Sequence, residues 1–209
     1  MSALREQVLA TARAMNAAGL NRGTAGNVSA RCDAGFLVTP TGLAYDEITA
    51  ADIVGMTLAG SASGDRKPSS EWRFHRDIYA SRPDAGAVVH AHPPFATALA
   101  CMGLDIPPFH YMIARFGGAE VRCAAYATFG SQELSDAAVK ALSGRSACLL
   151  AHHGMLAVGG DLKQALALAV ELETLAEQYW RVLQLGEPRL LPPEEMERVL
   201  EKFAGYGQQ

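Results

Sequence analysis

The stretch at residues 87–94 constrains the fold more than any other part of the sequence. A short apolar run is followed by His90, Ala91 and His92, and two prolines then interrupt it. Side chains alternate between the two faces of a β-strand, so His90 and His92 project from the same face and can reach one metal ion. Because proline cannot donate a hydrogen bond to a strand ladder, the strand ends directly after His92. The sequence therefore predicts a buried strand that presents two imidazoles at its end.

A second pair of histidines, His152 and His153, follows an apolar run at residues 147–151 and precedes Gly154. A His-x-His pair alone is a weak signal, because partly buried histidines often hydrogen-bond to backbone carbonyls. A third imidazole from this separate strand would complete a three-histidine site, and the open position of such a site is typical of catalytic zinc. His75 is a weaker candidate, because it falls in the middle of a helix, where a core or surface role is the default.

Length and composition indicate one domain over residues 1–209. Of these residues 49% are hydrophobic and 19% are charged, a balance that is too apolar for disorder. The net charge of −4 and the absence of a basic run with interleaved aromatics argue against nucleic acid as a partner. No stretch approaches the ~20 apolar residues of a membrane span, and the N-terminus lacks the pattern of a secretory signal. A soluble, cytoplasmic protein without a membrane partner is expected.

Hydrophobic periodicity predicts an alternation of helices and strands. Apolar residues at steps of three and four predict helices at residues 3–18 and 162–185. Two short runs flank the turn at residues 32–34 and predict a β-hairpin. No internal repeat or linker interrupts the pattern, and the chain is expected to end in a flexible tail from about residue 204 to residue 209.

Glu71 stands near the start of a further predicted helix. This helix is expected to begin around residues 67–75, with Ser69 or Ser70 as its N-cap and Glu71 in its first turn, where the helix dipole favours an acidic side chain. A capped helix with an acidic first turn is common, so only its neighbours could make Glu71 a catalytic base.

Polar groups that could bind a phosphate follow several loops, although no lysine-rich stretch is present. The segment at residues 19–27 contains three glycines, so several of its N–H groups could point at one anion. A glycine-rich turn between a helix and a strand is the commoner structure. Neither a P-loop nor a GxGxxG motif after a strand is present, so no nucleotide cofactor is implied. The groups that could converge on one phosphate are those of Asn27, Thr41-Gly42 and Ser69-Ser70.

Seven short motifs together resemble those of the class II aldolase/adducin family. They occur in order over nearly the whole chain, and although each one alone would be a weak signal, the series identifies the chain as a member of this family. One position departs from the pattern, since His152 stands where relatives usually have asparagine or glutamine, so the choice of His153 as a ligand depends on the adjoining glycine. The motifs are Gly26-Asn27-Val28-Ser29, Thr39-Pro40-Thr41-Gly42, Ser69-Ser70-Glu71, His90-Ala91-His92, His110-Tyr111-Met112, Tyr126-Ala127-Thr128-Phe129-Gly130 and His153-Gly154.

The resemblance implies a fold, an assembly and a reaction. The fold is a three-layer α/β/α domain with a mainly antiparallel central sheet, assembled as a C4 homotetramer with active sites between subunits. The reaction is cleavage of a ketose 1-phosphate to dihydroxyacetone phosphate and an aldehyde, with Zn²⁺ or another divalent metal as a Lewis acid. Glu71 would be the acid/base, and Tyr111 from a neighbouring subunit would accept the proton of the C4 hydroxyl. By the same resemblance the metal ligands would be His90, His92 and His153, the phosphate would be held by Gly26, Asn27, Thr41, Gly42, Ser69 and Ser70, and Phe129 and Tyr206 would shape the aldehyde end.

Other activities of the same family stay open as alternatives. Ribulose-5-phosphate 4-epimerases carry aspartate where Glu71 stands, which favours an aldolase, whereas methylthioribulose-1-phosphate dehydratases share the glutamate. Adducin-like interaction modules keep the fold without the metal site, and the three histidines argue against that alternative. The aldehyde half is not specified, because fuculose 1-phosphate, 5-deoxyribulose 1-phosphate and 5-methylthioribulose 1-phosphate share the half that the motifs bind.

Overall fold

One sheet of eight strands runs through the protein in the computed structural model, which describes residues 2–205. The strands are β1 (Asn27–Cys32), β2 (Gly35–Val38), β3 (Val54–Met56), β4 (Ala62–Ser63), β5 (Ala87–Ala91), β6 (Cys123–Ala124), β7 (Ala147–Leu150) and β8 (Gly154–Gly159). Their order across the sheet is β4-β3-β2-β1-β5-β8-β7-β6, and every neighbouring pair is antiparallel except β6 and β7. The predicted mainly antiparallel sheet is confirmed.

Helices cover both faces of this sheet. They are α1 (Ser2–Ala17), α2 (Trp72–Ser81), α3 (Pro94–Cys101), α4 (Gln132–Ala141), α5 (Leu162–Leu185) and α6 (Pro193–Ala204). Buried residues of α1, α3, α5 and α6 belong to one apolar cluster, and those of α2 and α4 belong to a second. Strand β5 lies between them, because Val89 packs in the first cluster and Val88 in the second. This arrangement is the predicted three-layer α/β/α fold, and it turns His90 toward α2.

Local signals in the sequence account for several element boundaries. The hydroxyl of Ser131 accepts the N–H of Leu134 at 3.1 Å and starts α4. The carboxylate of Asp161 accepts the N–H of Gln164 at 2.7 Å and starts α5. These side chains satisfy N–H groups that have no partner within the first helical turn. Single polar residues in the sequence thus predict where α4 and α5 begin.

The start of α2 differs from the prediction. Trp72 is its first residue and Glu71 occupies the N-cap position without a side-chain cap, so Glu71 is not in the first turn and neither serine is the N-cap. The hydroxyl of Ser69 instead accepts the backbone N–H of Glu71 at 3.3 Å. The prediction was wrong because contacts outside the helix, described below, hold the Glu71 side chain.

Two predictions from the sequence concern membrane-spanning helices and the C-terminal tail. Among the helices within residues 2–205, none has the length and apolarity needed to cross a membrane. The expected flexible tail falls mostly beyond the described part of the chain, and Tyr206 lies outside the described residues.

Candidate active site

Three histidines converge beside the end of β5. His90 lies in β5, His92 directly follows this strand, and His153 lies in the turn between β7 and β8. Strand β8 pairs with both β5 and β7, which places that turn next to the end of β5. The ring centroids of the three imidazoles are 4.7, 4.8 and 4.9 Å apart. The structure therefore brings together the three predicted metal ligands.

The carboxylate of Glu71 lies against these imidazoles. Its Oε2 is 3.1 Å from Nε2 of His90, and its Oε1 is 3.1 Å from Nε2 of His153. The Nε2 atoms of His90 and His92 are 2.9 Å apart. One potential ligand atom from each of these four residues lies within 4.8 Å of the others. Three imidazoles and one carboxylate are donors that suit a divalent metal such as zinc.

Two further observations fit a metal at this four-residue cluster. Nδ1 of His90 donates a hydrogen bond of 2.9 Å to the carbonyl of Met155, which leaves the lone pair of Nε2 for the cluster, as in most metal-binding histidines. Oε1 of Glu71 is buried and has no hydrogen-bond partner among the described residues, although Nε2 of His153 is near. A buried carboxylate oxygen without a hydrogen bond is costly, and a cation between these side chains would remove that cost. The residues present therefore fit the metal that the sequence implies.

Burial and neighbouring charges set the protonation states of the cluster. Burial raises the pKa of Glu71, but the adjacent imidazoles of His90 and His153 outweigh this effect and hold the pKa of the carboxyl well below its usual range. Burial, together with the neighbouring imidazoles of His90 and His153, lowers the pKa of His92 to about 3. At neutral pH Glu71 is thus an ionised carboxylate, and His92 is a neutral imidazole that can bind a metal.

Gly154 makes the position of the His92 ring possible. A Cβ at Gly154 would lie 2.6 Å from Cδ2 of His92 and 2.5 Å from the carbonyl oxygen of Ala91. We therefore expect Gly154→Ala to displace His92 and to weaken metal binding about 10- to 100-fold, the range seen when groups that orient a ligand are lost. The measurement is a titration against a competing chelator. Gly205→Ala is the control, because a Cβ there meets nothing within 4 Å, and equal affinities would contradict this role of Gly154.

His152 lies next to the cluster but is not part of it. Among residues 2–205 it is the one non-glycine residue with a positive φ, at 55°. Its exposed ring meets Tyr126 edge-on at a centroid distance of 5.8 Å, and its backbone N–H donates to the carbonyl of Ala100 at 3.0 Å. In this conformation His153, and not His152, supplies the third imidazole of the cluster.

The cluster borders a cleft of about 350 Å³. Its lining, as far as the structure describes it, includes no lysine or arginine, so an anion there would meet hydroxyl and backbone N–H groups. Glu71, His92 and His153 line it together with six residues predicted to bind phosphate and with Phe129, which is 67% exposed. Those six residues are Gly26, Asn27, Thr41, Gly42, Ser69 and Ser70.

The glycine-rich loop at residues 19–27 packs closely against β5, the strand that contains His90. Gly26 has a φ of 71°, and a Cβ there would lie 2.7 Å from the carbonyl oxygen of His90. The side chain of the next residue, Asn27, is already engaged: its Nδ2 donates to Oε2 of Glu71 at 3.0 Å, and its Oδ1 is 2.5 Å from Nε2 of His75. Asn27 thus contacts both the carboxylate and a histidine that the sequence indicated only as a weak candidate for a metal ligand.

Tyr111 lies away from the cleft in the described chain. It begins the 3₁₀ turn Tyr111–Phe116, is 50% exposed, and borders a separate groove, where its ring stacks on Phe203 at a centroid distance of 6.5 Å. Tyr111 and Glu71 of the same chain do not lie together, so the contribution of Tyr111 to the active site of a neighbouring subunit stays a prediction.

The sequence assigned no role in the cleft to Thr24 or Tyr126, and it indicated His75 only as a weak candidate for a metal ligand. Thr24 and Tyr126 line the cleft, and His75 contacts Asn27. His75 follows Glu71 by four residues, a spacing that places two side chains on one face of a helix, and this signal could have linked them. Tyr126 stands within one of the seven motifs, whereas nothing in the sequence distinguishes Thr24 from other loop threonines.

Comparison with known proteins assigns the family. The sequence pattern of the Class II Aldolase and Adducin N-terminal domain matches residues 6–180. The chain belongs to this family. The match includes the whole four-residue cluster and every described residue that lines the cleft.

Individual members of the class II aldolase and adducin family are similar over almost the whole chain. A 5-methylthioribulose-1-phosphate/5-deoxyribulose-1-phosphate aldolase from Rhodospirillum rubrum is 59% identical over 205 residues, covering 98% of this chain and 93% of the relative. An L-fuculose phosphate aldolase from Escherichia coli K12 is 48% identical over 205 residues, covering 98% and 95%. The solved structure of an L-fuculose 1-phosphate aldolase matches with a TM-score of 0.94 at 40% identity, covering 98% and 97%. These comparisons confirm the predicted family and the predicted class of enzyme, and they show a likeness to L-fuculose-1-phosphate aldolase.

Proposed function

We propose that this chain cleaves a ketose 1-phosphate by a metal-dependent retro-aldol reaction, with dihydroxyacetone phosphate and an aldehyde as products. The observation that carries the proposal is the cluster of three imidazoles and Glu71, of which Glu71, His92 and His153 line a cleft together with hydroxyl and backbone donors. A metal site and a base beside an anion pocket suit a phosphorylated carbonyl compound. The relatives described above are named as aldolases of such sugars, which supports the same reaction here.

His90, His92 and His153 are the proposed metal ligands, and zinc is the proposed ion. Imidazole also binds other divalent transition metals, so the ligand set suits zinc without being exclusive to it. When bound, the ion supplies a Lewis acid that polarises the substrate carbonyl and stabilises the charge left as the C3–C4 bond breaks.

The phosphate is proposed to lie at the loops that line the cleft beside the cluster. The hydroxyls of Thr41, Ser69 and Ser70 and the backbone N–H groups of Gly26 and Gly42 are the donors there, with Asn27 beside them. Ser69 and Ser70 directly precede the N-terminal end of α2, whose dipole favours an anion. These neutral donors bind the half of the substrate that all candidate sugars share.

Glu71 is the proposed acid/base. In the direction of bond formation, its ionised carboxylate accepts a proton from C3 of dihydroxyacetone phosphate. In cleavage the carboxylate first takes up a proton from solvent and then gives it to C3. A buried base held in a fixed position contributes about 10²- to 10⁴-fold to such a proton transfer. The glutamate at this position, where 4-epimerases of the family carry aspartate, also favours cleavage over epimerisation.

The complete site is proposed to need a second subunit. Tyr111 is half exposed and lies outside its own cleft, so a C4 homotetramer in which it reaches a neighbouring cleft would place it at the C4 hydroxyl. Phe129 in the cleft wall and Tyr206 near the C-terminus are proposed to shape the aldehyde end. The cytoplasm is the proposed location of this sugar-phosphate chemistry.

A comparison of kcat/KM for three sugars tests the proposed function. We expect 5-deoxyribulose 1-phosphate and 5-methylthioribulose 1-phosphate to be cleaved faster than fuculose 1-phosphate, because exposed rings of Tyr126 and Phe129 in the cleft wall suit an apolar aldehyde. A clear preference for fuculose 1-phosphate would overturn this substrate order. Consumption of methylthioribulose 1-phosphate without dihydroxyacetone phosphate would instead indicate the dehydratase alternative.

A further inference from the structure

Buried polar side chains form a continuous series from Glu71 into the core between β1 and α2. Oε2 of Glu71 accepts a hydrogen bond from Nδ2 of Asn27 at 3.0 Å, and Oδ1 of Asn27 is 2.5 Å from Nε2 of His75. Nδ1 of His75 is 2.6 Å from the hydroxyl of Ser29, which is 2.7 Å from the hydroxyl of Tyr79. None of these five residues is more than 6% exposed.

The spacing of these residues in the sequence builds the series. Glu71, His75 and Tyr79 are four residues apart, so they share one face at the start of α2 and along it. Asn27 and Ser29 are two residues apart on β1, so they share the face of the sheet that packs against α2. Asn27 bridges Glu71 and His75, and Ser29 bridges His75 and Tyr79.

The hydrogen bonds of this series run in one direction. An ionised Glu71 can only accept, so the amide nitrogen of Asn27 faces it and the amide oxygen faces His75. Nε2 of His75 must then carry the proton, while Nδ1 accepts from the hydroxyl of Ser29, and Tyr79 donates to Ser29. Burial lowers the pKa of His75 to about 3, which keeps the ring neutral and able to accept at Nδ1.

We infer that His75 is a positioning residue: as the neutral Nε2–H tautomer it fixes the amide of Asn27, which in turn holds the carboxylate of Glu71. This inference rests on the proposed role of Glu71 as the acid/base. Without a donor at position 75, Oδ1 of Asn27 is a buried acceptor without a partner, so the amide is no longer held in place and can move away from Oε2 of Glu71. His75 therefore acts on the reaction through Asn27 and touches neither metal nor substrate.

The tautomer of His75 is tested by ¹⁵N NMR of the metal-loaded wild-type protein, with the resonance assigned by its absence in His75→Gln. The inference requires a neutral ring at pH 7 that is protonated at Nε2 alone. A proton on Nδ1, or a charged ring, would overturn it. The NMR measurement does not depend on turnover, so it tests the His75 tautomer even if the protein cleaves none of the three sugars. Failure to cleave these sugars would contradict only the proposed function.

The effect on the reaction is tested by comparing His75→Leu with His75→Gln. Leucine removes the donor to Asn27, whereas glutamine restores a side-chain N–H donor of similar reach. We expect His75→Leu to lower kcat about 10- to 100-fold, as when a hydrogen bond to a charged group is lost, with little change in KM or bound metal. His75→Gln is expected to recover most of this loss. An unchanged kcat in His75→Leu, or a fall that only parallels lost metal, would overturn the inference.

Ser29→Ala keeps the inference testable if His75→Leu does not fold. It removes the hydroxyl that donates to Nδ1, so the His75 ring is held less firmly against Asn27 and kcat is expected to fall. Ser135→Ala is the matched control, because Ser135 is equally buried but its hydroxyl donates to Asp77 at 2.6 Å, outside the series. A kcat that is the same in Ser29→Ala as in Ser135→Ala would overturn the inference.

Discussion

Glu71→Gln is expected to retain the divalent metal and to lose about 10²- to 10⁴-fold in turnover, the contribution of a positioned proton-transfer group. Glutamine has nearly the shape of glutamate and still offers an oxygen to Nδ2 of Asn27, but it cannot accept the proton from C3. The three proposed metal ligands are unchanged in this variant. The measurement is steady-state cleavage of 5-methylthioribulose 1-phosphate, with the metal content determined on the same preparation.

Asp77→Asn is the matched control for this change. Asp77 is a carboxylate within α2, the helix that Glu71 precedes, and it pairs with Arg76 at 2.6 Å and accepts a hydrogen bond from the hydroxyl of Ser135, away from the cleft. Its replacement is expected to leave kcat per bound metal unchanged. Near-normal turnover by metal-loaded Glu71→Gln would remove Glu71 from the reaction.

His153→Ala is expected to weaken metal binding by at least about 100-fold, because loss of a ligand must cost no less than loss of a group that only orients one. Its Nε2 lies 3.1 Å from Oε1 of Glu71, within the cluster. His152→Ala is the matched variant at the adjacent position and is expected to keep a full complement of metal. The measurement is metal content after dialysis, together with a titration against a competing chelator.

The reverse order of these two variants would reassign the ligand. Metal lost from His152→Ala but retained by His153→Ala would place His152 in the metal site and contradict the observed cluster. Equal retention by both would show that neither imidazole is needed to hold the ion. Only selective loss from His153→Ala agrees with the proposed ligand set.

Much of the fold could be predicted because local sequence patterns and the final packing agree. The alternation along β5 placed His90 and His92 on one face, and single polar residues marked the starts of α4 and α5. The start of α2 was predicted wrongly because its local signal, a serine before an acidic residue, competes with tertiary contacts. The imidazoles of His90 and His153 hold the Glu71 carboxylate, so this residue serves the cluster instead of the first helical turn.

The site was less predictable because several of its features depend on three-dimensional arrangement. His153 could be preferred to His152 in the sequence only through the adjoining glycine, whereas the structure distinguishes them by the left-handed backbone at His152. The contact between Asn27 and His75 joins a strand to a helix 48 residues away. The predicted role of Tyr111 depends on a C4 homotetramer, which the sequence motifs imply only by resemblance.

Release of dihydroxyacetone phosphate from 5-methylthioribulose 1-phosphate, before and after removal of metal, is the most direct test of metal-dependent carbon–carbon cleavage. The metal-loaded protein is expected to release one dihydroxyacetone phosphate for each sugar consumed. Activity should disappear after chelation and return when a divalent metal is restored. Full activity in protein shown to lack metal, or sugar consumed without dihydroxyacetone phosphate, would contradict the proposed reaction.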